Sequence, residues 1–101
     1  MLLLLNVAIP SLPEAKPYLE AHMQFLNTQF ERGFFKWFGA YLPAGSGGFA
    51  VIEAPDLNAA QEVLSQDPLT ARKLCVNELR EIKSGRIQGE FFATLAQASK
   101  A

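Results

Sequence analysis

The first eight residues form an apolar run broken only by Asn6. A strand buried on both faces reads this way, so the pattern predicts a central strand of a sheet. The period then changes. Over residues 18–33, at about 100° per residue, Tyr18, Leu19, Phe25, Leu26 and Phe30 gather on one side of a helix. Glu20, Gln24, Asn27, Thr28 and Glu31 fall on the other. Ser11 and Glu14 have the spacing of a capping box, but a helix begun there would meet Pro17 inside its ladder. The main helix is therefore expected to begin near Ala15 or Lys16, with a short separate turn over residues 11–14. Gly33, behind Arg32, suits its C-terminal end.

Residues 34–42, FFKWFGAYL, read as a second strand, with Gly39 at a bulge or a close backbone approach. PAGSGG is turn chemistry, and residues 49–54 make a third strand, so the pair is an antiparallel hairpin. A phosphate-cradling loop would need a helix N-terminus behind the glycines, and here a strand follows. Asp56 caps a second helix whose apolar side is Leu57, Ala60, Val63 and Leu64. Residues 74–82 are a plausible last strand. The fold predicted is α+β with βαββαβ order, a ferredoxin-like four-stranded antiparallel sheet with two helices on one face. Residues 1–83 form this domain and residues 84–101 a C-terminal tail, whose Phe91, Phe92 and Leu95 are apolar enough to dock on something. The opposite sheet face would be a bare aromatic patch, which a homodimer formed sheet to sheet would bury.

Composition narrows the function. A formal charge of −1 leaves no basic footprint for nucleic acid. The opening run lacks a positive flank and is too short to span a bilayer. A lone cysteine, Cys75, excludes an internal disulfide and fits a reducing compartment. One histidine and one cysteine make no zinc site without carboxylate help. The expectation is a cytoplasmic protein with no metal, cofactor, nucleic acid or membrane.

The candidate chemistry centres on His22, the only histidine, which falls near the middle of the apolar arc of the first helix. An imidazole there either finds a partner in the core or faces a cavity where it does chemistry. Asp67-Pro68 has the form of a helix start, Asp at the cap and Pro at the first position. Trp37 and the phenylalanines read as core or interface, and Cys75 as an inert buried thiol.

AHMQFL around His22, Gly33 at the helix end, GGFAVIEAPDLNAAQ running from strand into helix, and SQDPL at Asp67-Pro68 occur together in this order. In these the chain resembles the YciI-like proteins, the YCII-related domain of the dimeric α+β barrel group, over residues 1–83. The resemblance implies that His22 and Asp67 form an active-site pair, and that the activity is lyase-like, an elimination on a small ring compound. A carboxylate on one imidazole nitrogen fixes the tautomer and leaves the other nitrogen to move a proton, so the residues are compatible with it. Tyr41 and Arg72 are candidates for orienting an anionic or phenolic substrate, and Ser65 is a further substrate-binding candidate. Two stretches depart from the family pattern: Gly39-Ala40 where Gly-Pro is common, and Leu69 followed by Thr70-Ala71-Arg72 where Phe and then glycine are common. The expected function is a cofactor-independent lyase or isomerase acting on a small cyclic or aromatic metabolite through a His-Asp acid/base dyad. The alternatives are a non-catalytic module binding a small molecule and a dimeric accessory protein.

Overall fold

The computed structural model describes residues 1–98. Strand β1 (Leu2–Ala8) leads through a short helix α1 (Leu12–Ala15) and one 3₁₀ turn (Lys16–Tyr18) into the main helix α2 (Leu19–Glu31). The hairpin β2 (Phe35–Ala40) and β3 (Gly47–Glu53) follows, then α3 (Leu57–Leu64), α4 (Pro68–Ala71), β4 (Val76–Ile82) and α5 (Gly89–Ala98). The strands form one antiparallel sheet in the order β2-β3-β1-β4. The expected βαββαβ plan is present, with α1, α4 and α5 added to it. No helix among the described residues is long and apolar enough to cross a membrane.

Proline chemistry sets the entry to α2. Pro17 has no N–H to give to a carbonyl one turn back, so the chain tightens into a 3₁₀ turn around it and α2 starts two residues later. The capping box is not made: the Ser11 side chain makes no cap bond. Pro13 removes one of the two N–H groups such a cap would serve. At the other end, Gly33 takes φ +81°. Its N–H reaches the Phe30 carbonyl at 3.0 Å and the Phe34 N–H reaches Gln29 at 3.0 Å, the paired bonds of a Schellman ending.

The core lies between the helices and one sheet face. Leu3, Leu5 and Val7 of β1, with Phe35, Ala50 and Ile52 from the hairpin, meet Ala60 and Leu64 of α3, while Phe25 and Leu26 of α2 pack against them. Leu2, Leu4 and Asn6 alternate onto the other face and are only half-buried. A single chain thus covers β1 fully on one side, not on both as its apolar run predicts. The irregularity in β2 falls between Phe35 and Trp37. Gly39 is instead a close approach, where a Cβ would sit 2.9 Å from the Phe49 ring.

Trp37, Tyr41 and Phe49 form an aromatic strip on the open face. Phe92 of α5 stacks edge-on against Trp37 with ring centroids 5.3 Å apart. Part of the stretch read as a tail is therefore a helix docked on its own chain's sheet. Residues 99–101 of that tail lie outside the described residues.

Candidate active site

His22 sits in the second turn of α2 on the side facing the sheet, and Asp67 sits where the chain enters α4. Leu69, fully buried, anchors α4 beneath α2. The two side chains meet across 45 residues of sequence: His22 Nδ1 is 2.9 Å from Asp67 Oδ1 and 2.8 Å from Oδ2. The pair is shut away from bulk water, with His22 8% and Asp67 4% exposed. The same carboxylate caps α4, its Oδ1 accepting the Leu69 N–H at 3.0 Å with Pro68 in the first turn. The capping reading and the pairing reading of Asp67 thus hold together in one geometry.

An ionised carboxylate can only accept, so Nδ1 carries the proton of this bond and the lone pair of a neutral ring resides on Nε2. Among the described residues no buried side-chain nitrogen or oxygen lacks a partner. Among the described residues Nε2 has no hydrogen-bond partner, and His22 lines a cavity. That cavity holds about 260 Å³. Val7 and Ala50 of the sheet form one wall, Met23 and Leu26 of α2 the other, and Phe38 also lines it.

The turn between β2 and β3 adds a further side to the cavity, a role its sequence did not announce. Gly45, Gly47 and Gly48 line the cavity. At Gly47, with φ +138°, a Cβ would fall 1.9 Å from the Val7 carbonyl oxygen. Only glycine lets the turn lie this close to β1. The signal was present as three glycines in four residues, but glycine in a hairpin turn has a sufficient local explanation and says nothing of a cavity.

Three further candidates lie elsewhere. Tyr41 donates its hydroxyl proton to Asn6 Oδ1 on the open sheet face. Arg72 lies 4.2 Å from the centroid of the Tyr18 ring, a cation–π contact. Ser65 donates to the Glu62 carbonyl at 2.6 Å and lines a second cavity, of about 310 Å³, beside Thr70 and Asn77. None of the three lines the His22 cavity. Gly39 and Ala40, at one departure from the family pattern, do line it. Cys75 is half-buried; burial pushes its thiol above the ordinary range, against a hydrogen bond with Thr70 that pulls the other way. Among the described residues no three His, Cys, Asp or Glu side chains converge as a metal site requires.

A family model, the YCII-related domain, matches residues 1–84. The chain belongs to that family. Its fold is shared with the 5-chloro-2-hydroxyhydroquinone dehydrochlorinase TftG of Burkholderia phenoliruptrix AC1100, solved in complex with 2,5-dihydroxybenzoquinone. That match has a TM-score of 0.71 at 23% identity and covers 84% of this YCII-related chain and 96% of the other. Muconolactone isomerase is similar too, with a TM-score of 0.68 at 13% identity, covering 88% of this chain and 95% of its own. At these identities the likeness is one of fold. No curated protein sequence matches the chain.

Proposed function

We propose that this protein is a cofactor-independent lyase or isomerase that acts on a small cyclic or aromatic metabolite, with His22 and Asp67 as its acid/base pair. The observation that carries the reading is the buried His22–Asp67 contact through Nδ1, with Nε2 unpartnered among the described residues and His22 lining an apolar cavity. A histidine merely satisfied in the core would have both ring nitrogens engaged or one lost to bulk solvent. Here one nitrogen is committed to Asp67, and the other is free to serve a ligand in the cavity that His22 lines.

In the proposed step Nε2 takes a proton from a carbon beside a carbonyl, or from a ring hydroxyl. Asp67 stabilises the imidazolium so formed without itself taking the proton. In an elimination the C–H electron pair becomes a new double bond and the leaving group departs with its own pair. In an isomerisation the imidazolium returns the proton to a different carbon of the same ring system. The isomerisation ends with the ring neutral; after the elimination the imidazolium gives its proton to the departing anion or to water, which restores the base. The names of the two structural neighbours, a dehydrochlorinase and an isomerase, are consistent with either outcome.

The test is to incubate the protein with halogenated hydroquinones and unsaturated lactones in deuterated water, following solvent exchange at carbon and product formation. The parent should exchange and turn over at least one class, and His22→Gln should lose about 10²–10⁴-fold in rate, the usual contribution of a positioned acid/base. Equal binding by parent and His22→Gln, with no exchange in either, would make the cavity a binding site only. We further propose that the working unit is a homodimer joined through the open sheet face, whose Trp37 and Val76 are exposed large apolar side chains.

A further inference from the structure

We infer that the His22 cavity selects an uncharged, single-ring compound carrying its hydrogen-bonding group on the side that meets Nε2, and that it discriminates against carboxylates and phosphates. The inference rests on the proposed function in taking this cavity as the ligand site, and it adds the substrate class.

The first argument is the lining. His22 supplies the only polar side chain; every other lining residue is Leu, Val, Ile, Met, Phe, Ala or Gly. An ionised carboxylate entering there would lose its water with no cation to replace it. Arg72, the nearest cation to Asp67 in sequence, is occupied on the Tyr18 ring and does not line the cavity.

The second argument is the charge behind the histidine. Asp67 is buried and pressed against Nδ1 of the neutral ring, and among the described residues no Lys or Arg pairs with it. An anion at Nε2 would face this carboxylate across one ring in a medium that screens poorly. An uncharged hydroxyl or carbonyl meets no such field and satisfies the single open nitrogen.

The third argument is size. An apolar cavity of about 150 Å³ takes a benzene molecule, and this one holds about 260 Å³. That leaves room for one ring with substituents. Their apolar edges would rest on Phe38 and Met23, where a second polar group would be desolvated without a partner.

The probes are para-chlorophenol, un-ionised at neutral pH, and para-chlorobenzoate, which matches it in ring and halogen but carries a charge. Each is titrated into the parent protein by NMR, reading the His22 ring and the Phe38 and Met23 signals. The phenol should bind at least roughly tenfold tighter, a difference of about 1.4 kcal/mol. Met23→Arg places a cation at a half-exposed lining position that tolerates it, and should move the preference toward the benzoate. Equal or tighter binding of the benzoate by the parent overturns the inference, as does binding of neither compound. These outcomes are separate from the failure of the proposed reaction: phenols that bind in the expected order but never exchange or react would sink the catalysis and leave the selectivity standing.

Discussion

Asp67 does two things at once, and its removal should expose both. It holds the His22 Nδ1 proton and caps α4 through the Leu69 N–H. Asp67→Ala leaves both donors without acceptors inside the protein. Breaking a buried pair in this way costs about 3–5 kcal/mol, which urea unfolding will register as a lower midpoint. Asp67→Asn keeps an acceptor oxygen and the side-chain shape, so it should lose markedly less. Equal losses would mean that the carboxylate's charge, which Asn lacks, holds the site, and that its shape and a neutral acceptor contribute nothing. At this scale the sequence was half legible. A single histidine on an apolar arc poses its own question, because a polar ring there needs an explanation. Its partner does not follow from the residues, since nothing local to SQDPL points to a side chain 45 positions earlier; the family resemblance supplied that link.

The elements were legible wherever a local cause decides them. Pro17 forces the chain to restart, Asp56 accepts the Ala59 N–H at 2.7 Å as a cap should, and Gly33 ends α2. Gly33 provides the test at this scale. Its φ of +81° is a conformation L side chains disfavour, although a Cβ there would meet open space, with only the Lys36 Nζ as near as 4.0 Å. Gly33→Ala should therefore cost about 1–2 kcal/mol through backbone strain alone, measured as a lowered thermal midpoint with the fold unchanged. A neutral result would mean that the turn relaxes out of the Schellman geometry. Elements that depend on distant contacts were less legible. Gly85 and Gly89 make the final stretch look loose, and α5 gains its place from Phe92 against Trp37, a contact between residues 55 positions apart that no local pattern encodes.

At the scale of the molecule, β1 is the strongest sequence argument for a partner. Its run of leucines reads as a strand covered twice, and one chain covers it once. A second copy laid on the open face would meet Leu2, Leu4 and Val51 at the sheet centre, and Trp37, Phe49 and α5 toward one edge. Light scattering on the intact chain should give twice its 11.1 kDa mass. Val51→Lys, which puts a charge at the centre of that face, should give a folded monomer with unchanged circular dichroism. A parent that scatters as a monomer would leave α5 as the face's only cover. The core itself draws on β1, the hairpin, α2, α3 and β4 as far as Leu79.

The acid/base reading depends on which nitrogen of His22 carries the lone pair. Long-range proton–nitrogen NMR of the ring in its neutral form reads this directly. Free imidazole side chains in water favour the proton on Nε2. The account predicts the opposite here, Nδ1 protonated toward Asp67 and Nε2 bare, with Asp67→Ala returning the ring to the solution preference. A parent ring carrying its proton on Nε2 would leave no base at the cavity, and the acid/base reading would fall with it.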